Sequence, residues 1–156
     1  MPRPPYESYA AITGAFVAGL GAAGIVSRLT GRDPQCQTPL DLVVLTTATF
    51  KAARTLSHDE VTSFIRTPFV KGEAHTGEGE EPEEGGMHQA IGELVTCSRC
   101  VGTWAAAALA ITQVLAPRFG RLLTWSLSAA AFNDFFQAGF SALTAKANEV
   151  EERVEA

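Results

Sequence analysis

Ser8-Tyr-Ala-Ala-Ile-Thr-Gly-Ala-Phe-Val-Ala-Gly-Leu-Gly-Ala-Ala-Gly-Ile-Val-Ser27 is the stretch on which the fold turns. It runs for 20 residues without a charge. As a helix it would reach about 30 Å, the thickness of a bilayer core. Ala11, Ala15, Gly19 and Ala23 recur at every fourth position, and Gly14, Ala18 and Ala22 run beside them. Two adjacent ridges of small residues make a face on which another helix can pack closely. Glycine is costly in a water-soluble helix but common where membrane helices touch. The leader Met-Pro-Arg-Pro-Pro-Tyr-Glu, with one Arg and an acidic Glu7, does not read as a signal peptide.

Outward from this segment, three more apolar stretches follow. After the turn-rich Thr30–Pro39 loop, the second runs over 40–56, the third over 101–116 and the fourth over 122–145. The expected fold is therefore all-α: an integral membrane bundle of four spans (8–27, 40–56, 101–116 and 122–145) after a 1–7 N-terminal tail. A 57–100 loop joins spans two and three, and a polar tail at 146–156 is expected to fray. The chain has 156 residues, enough for one domain. Its charge is segregated: 14 of 29 charged residues lie between Lys51 and Arg99, and Val101–Pro117 has none. A net charge of −5 argues against nucleic acid as a partner. The bilayer is the partner expected first, then a second copy of the chain or another membrane protein.

Within the 57–100 loop, Ser57 with Glu60 has capping-box spacing. Val61, Phe64 and Ile65 form an apolar stripe, and Pro68 stops it. This predicts a short helix over Asp59–Thr67 lying in the membrane interface, with Asp59, Arg66 and Pro68 as its marking residues. Residues 71–86 carry five glycines and six glutamates and read as disordered linker. On the side of the N-terminus, this loop and the C-terminal tail stand eight basic residues: Arg3, Lys51, Arg54, Arg66, Lys71, Arg99, Lys146 and Arg153. The other side has four: Arg28, Arg32, Arg118 and Arg121. The excess of positive charge predicts both termini in the cytoplasm.

Two features could carry chemistry. Cys97-Ser-Arg-Cys100 stands at the mouth of the third span. Two-residue spacing lets both thiolates reach one metal ion or close one disulfide. Zinc or iron is the cofactor such a site would take, with His88 as candidate third ligand. A dimer would assemble four cysteines. Structural packing or capping and redox chemistry are the other readings of the pair. Asp134 is the only charge in the fourth span and sits on its small-residue face. An acid in a bilayer is expensive and usually paired, and Lys51 and Arg54 are its expected partners. A proton or ion relay is the alternative. No phosphate loop, dinucleotide fingerprint or zinc-protease motif is present, and no catalytic residue is assigned.

The motifs together resemble the bacterial family of small membrane proteins catalogued as domain of unknown function family 1360. The resembling pieces are Lys51-Ala-Ala-Arg54, His58-Asp-Glu-Val-Thr62, Arg66-Thr-Pro-Phe69, Gly92-Glu-Leu-Val-Thr-Cys97-Ser-Arg-Cys100-Val-Gly-Thr-Trp104 and Asn133-Asp-Phe-Phe-Gln137. Ser98 stands where members of that family often have Pro. The resemblance implies a multi-span protein of the bacterial cytoplasmic membrane and brings no activity with it. Three functional classes follow: a structural or accessory membrane subunit, a cytosol-facing thiol or metal site, and a small transporter or proton-coupled component using Asp134.

Overall fold

The computed structural model describes residues 4–32, 37–71 and 80–155. It is a helical protein: α1 Tyr6–Leu29, α2 Pro39–His58, α3 Ser63–Arg66, α4 Gly86–Thr96, α5 Ser98–Leu115 and α6 Pro117–Glu155. Two single-turn 3-10 segments, Glu60–Thr62 and Thr67–Phe69, flank α3. Strands β1 (Val70–Lys71) and β2 (Glu81–Pro82) pair antiparallel, Val70 with Pro82 and Lys71 with Glu81.

Local chemistry sets the helix starts. Thr38 and Asp41 exchange hydrogen bonds in a capping box, with Pro39 at the first helical position. Cys97 caps α5, and Pro117 opens α6. Ser57 does not cap the following turn as its spacing predicts. It is buried in the last turn of α2, donating to the Ala53 carbonyl at 2.7 Å and bonding His58 Nδ1 at 2.6 Å. The expected helix over Asp59–Thr67 is broken into 3-10, α and 3-10 pieces, and Pro68 lies inside the last of them.

The four long helices alternate in direction. Phe16 meets Trp104 with ring centroids 5.1 Å apart, and near the other ends Ser27 and Leu115 share a cavity, so α1 and α5 run parallel. Thr47 bonds Ser128 and Lys51 bonds Asp134, so α2 and α6 run parallel. Gln113 donates to Thr124 at 3.1 Å across the tight α5–α6 turn, so those two run antiparallel. A Cβ at Gly120 would lie 2.6 Å from the Gln113 backbone, and only glycine permits that turn to close.

The core is made of small side chains. Ala48 and Ala131 are wholly buried, with Ala53, Ala105, Val44 and Val101 around them. Ser128 donates to the Val44 carbonyl at 2.6 Å across the α2–α6 contact. Large apolar side chains point outward instead: Leu29 is 82% exposed, Phe136 74% and Phe140 73%.

Three boundaries differ from expectation. The helix expected to end at Ala145 continues to Glu155, so the polar tail does not fray over its described residues. Lys146 pairs with Glu149 at 2.7 Å, and Arg153 pairs with the same carboxylate. Such i,i+3 and i,i+4 pairs hold an exposed helix together. Of the stretch expected to be disordered, 72–79 lies outside the described residues. Lys71, by contrast, belongs to β1, Glu81 and Pro82 form β2, and Gly86 starts α4. Gly85 and Gly86 turn the chain there at φ of 119° and 51°, a region that side chains disfavour.

Among the described residues one helix, α1, is long and apolar enough to cross a membrane by length and composition. Helices α4 and α5 pass the same test together but are bent by 84° at Cys97. Asp41, Lys51 and Arg54 interrupt the apolar run of α2, and Asn133, Asp134 and Gln137 that of α6.

Candidate functional site

The segments quoted for the family resemblance converge at one end of the bundle, where α2 ends, α5 begins and α6 passes mid-length. Cys97 holds the corner between α4 and α5. Its Sγ accepts the Cys100 backbone N–H at 3.3 Å, so the thiol serves as the helix cap. Both cysteines are free; Cys97 is half-buried and Cys100 exposed. The Cys100 thiol beside it, backbone N–H groups and the Arg99 charge hold the Cys97 thiol below its ordinary value. The same contact, with burial, pushes Cys100 up to about 11. One proton shared between two thiols has this effect: Cys97 is the preferred thiolate and Cys100 its donor.

His88 is not brought into this pair. Its ring lies 5.7 Å from that of Phe69, on the α4 face toward the second 3-10 turn. Among the described residues no three His, Cys, Asp or Glu side chains form a group able to hold a metal ion. Within one chain the candidate metal set is therefore reduced to the two cysteines.

Lys51 Nζ lies 2.8 Å from Asp134 Oδ2, the expected helix-to-helix pair, and 4.0 Å from Asp59 Oδ2. Phe50 and Phe135 stack beside it at 5.4 Å. Arg54, the other expected partner of Asp134, is not in the pair. It faces a separate cavity between α2 and the start of α5, shared with His58 and Arg99.

Arg66, expected on a surface helix, is fully buried. Its Nη1 donates to the carbonyls of Leu56 at 2.9 Å and Asp59 at 3.1 Å, and to Thr62 Oγ1 at 3.2 Å. Its Nε and Nη2 grip Glu80 at 3.0 and 3.1 Å. One guanidinium thus pins the end of α2, the first 3-10 turn and the chain entering β2 into one cap. Sequence reasoning missed Glu80, because nothing distinguishes it from its glutamate neighbours. Helix α4 then presses on this cap at Gly92, where a Cβ would stand 2.4 Å from the Phe69 carbonyl oxygen. Also missed is the clasp of α1, in which the Tyr9 hydroxyl donates to Glu93 of α4.

This is a helical bundle with a polar cap locked onto one end by a buried ion pair. Over residues 44–140 the chain matches the family described as Protein of unknown function (DUF1360), and it belongs to that family. Helix α1 lies outside the matched region. No curated protein and no solved structure matches the chain.

Proposed function

We propose that this chain is an integral protein of the bacterial cytoplasmic membrane, in which α1, α2, α5 and α6 each cross once and the whole acts as a structural or accessory subunit. The observation that carries the reading is the inverted placement of side chains. Alanine, serine and threonine fill the contacts between helices, while Leu, Val and Phe face outward along α1, α2 and α6. A water-soluble bundle buries its large apolar side chains; a membrane bundle packs through small residues and exposes the large ones to lipid. Only 6% of the apolar window of α1 is buried, so this helix needs lipid or a partner over most of its surface.

The alternating helix directions support spans of about 8–27, 40–56, 101–115 and 122–145. The 57–100 cap and both termini then share one side, and the basic excess supports assigning that side to the cytoplasm. The bend at Cys97 leaves α4 lying across the end of the bundle. Exposed Val61 and Phe64 are placed to dip into the interface. In this reading Lys51–Asp134 ties α2 to α6, a costly polar contact used to fix helix register.

Alkaline carbonate washing of membranes from cells expressing the full chain tests the reading, together with reporter fusions at each terminus. Retention in the washed membrane with both reporters cytoplasmic is expected. Release of the protein by carbonate, or reporters on opposite sides, would refute it.

A second reading is favoured by the thiol geometry: a cytosol-facing thiol or metal site on Cys97 and Cys100, the latter shared between two copies. Metal content of protein purified without chelator tests it. Half an equivalent of zinc or iron per chain, lost in Cys97→Ser/Cys100→Ser, is the expected sign of a shared site. No metal, together with no difference in thiol redox behaviour between Cys97 and Cys100, counts against it.

A further inference from the structure

We propose that the cavity between α2 and the start of α5 binds a phosphate-type oxyanion. The cavity has a volume of about 360 Å³, and its lining includes Arg54, His58 and Thr49 from α2 and Ser98 and Arg99 from the first turn of α5. Among the described residues no carboxylate lines it. Lys51, Arg66 and Lys71 each pair with a carboxylate, whereas Arg54 and Arg99, among the described residues, have no ion-pair partner. Two guanidinium groups on one cavity, neither paired with a described carboxylate, leave a concentrated positive field there. Guanidinium forks match the oxygen geometry of phosphate.

Thr49 supplies an independent observation. Its Oγ1 is buried and has no hydrogen-bond partner. Its helix neighbours Thr46 and Thr47 satisfy their hydroxyls on the carbonyls of Leu42 and Val43, at 2.8 and 2.9 Å. A helical threonine that could do the same and does not is a hydroxyl held ready for another partner. The start of α5 adds the partial positive charge of a helix N-terminus to the same wall. His58 is held by its Nδ1 on Ser57, which fixes the ring that lines the cavity.

The phosphate can belong to a lipid headgroup or to a soluble phosphate. The cavity lies where the sequence-read second span ends and the third begins, which is headgroup depth if these helices cross a bilayer. The electrostatic argument itself holds without the membrane reading.

The test uses the full chain in two arms. In one, protein in neutral detergent is exchanged into nanodiscs of phosphatidylcholine with or without phosphatidylglycerol, and retained lipid is counted by native mass spectrometry. In the other, inorganic phosphate is titrated onto detergent-purified protein. Selective retention of phosphatidylglycerol assigns the site to a lipid headgroup; saturable phosphate binding assigns it to a soluble phosphate. In whichever arm binds, Arg54→Gln/Arg99→Gln should weaken binding at least tenfold, with Arg54→Lys/Arg99→Lys recovering part. Thr49→Val should weaken it severalfold without lowering the unfolding temperature of ligand-free protein. The proposal is overturned if wild-type protein binds in neither arm, or if the folded double Gln variant binds as wild type does. Should that variant not fold, unchanged binding by Thr49→Val overturns it.

Discussion

Removing Glu80 should release the cap while sparing the bundle. Arg66 has no exposed surface and the Glu80 side chain is 6% exposed, so solvent screens neither charge. Three charge-assisted hydrogen bonds join them, at 3.0, 3.1 and 3.3 Å. In Glu80→Ala the buried guanidinium keeps its bonds to Leu56 and Asp59 but loses the carboxylate that its Nε and Nη2 hold. Stranding one member of a buried pair costs about 3–5 kcal/mol. Since each 1.4 kcal/mol is tenfold, the cap should open on the order of 100-fold more often, or more. Hydrogen–deuterium exchange read by mass spectrometry locates the effect. Peptides covering 60–71 and 80–96 should lose protection, and those covering 101–115 and 122–135 should change little. Glu80→Gln should fall between, keeping an acceptor and losing the charge. Arg66→Met/Glu80→Leu should recover part of the loss, because both charges of the pair leave together. The exposed Lys71–Glu84 pair, 3.0 Å apart, is the internal control, and Lys71→Gln should leave exchange unchanged. Protection within threefold of wild type in Glu80→Ala would refute the reasoning.

Further outcomes are expected at two glycines and at the thiol pair. Gly92→Ala should cost about 1–3 kcal/mol, since its Cβ meets the Phe69 carbonyl that also accepts the Glu83 N–H at 3.0 Å. Gly139→Ala, with nothing within 4 Å, should be neutral or slightly stabilising, and equal thermal unfolding of the two variants would contradict this. Alkylation against pH should show Cys97 reacting at lower pH than a free thiol, with Cys100 lagging toward its value of about 11. Cys100→Ala should move the Cys97 midpoint back up. A lowered folded value contributes stability above the ordinary thiol range, and that contribution is lost as pH falls through the lowered value. Cys97→Ala should therefore destabilise more at about pH 8.5 than at pH 6, below the range where the raised Cys100 value acts with the opposite sign, which unfolding at the two pH values measures.

The long helices were legible because each announces itself by an apolar run bounded by Pro or charge, and their starts fall within a few residues of expectation except at α6. The pairing of Lys51 with Asp134 was legible too, since a lone acid on a small-residue face needs a cation. What the sequence hides is long-range polar satisfaction. Arg66 lies on a segment whose apolar residues suggest a surface helix, yet it is buried with partners that include two carbonyls, a hydroxyl and a distant carboxylate. Glu80 sits in a run that composition alone assigns to solvent. Ser57 has the spacing of a cap, but α2 extends one residue past it and turns its hydroxyl inward. The extension of α6 rests on ion pairs such as Lys146–Glu149, which hydropathy does not register.

The Lys51–Asp134 contact also sets a problem of timing. The ribosome releases Lys51 83 residues before its partner exists. At about 5–20 residues per second, that is a wait of roughly 4–17 s. Asp59, whose carboxylate lies 4.0 Å from the same ammonium, emerges only one helical stretch later. It is the nearest acid that can escort Lys51 through the interval, before α6 arrives and takes over the charge. A residue marginal to the finished molecule is then central to its assembly.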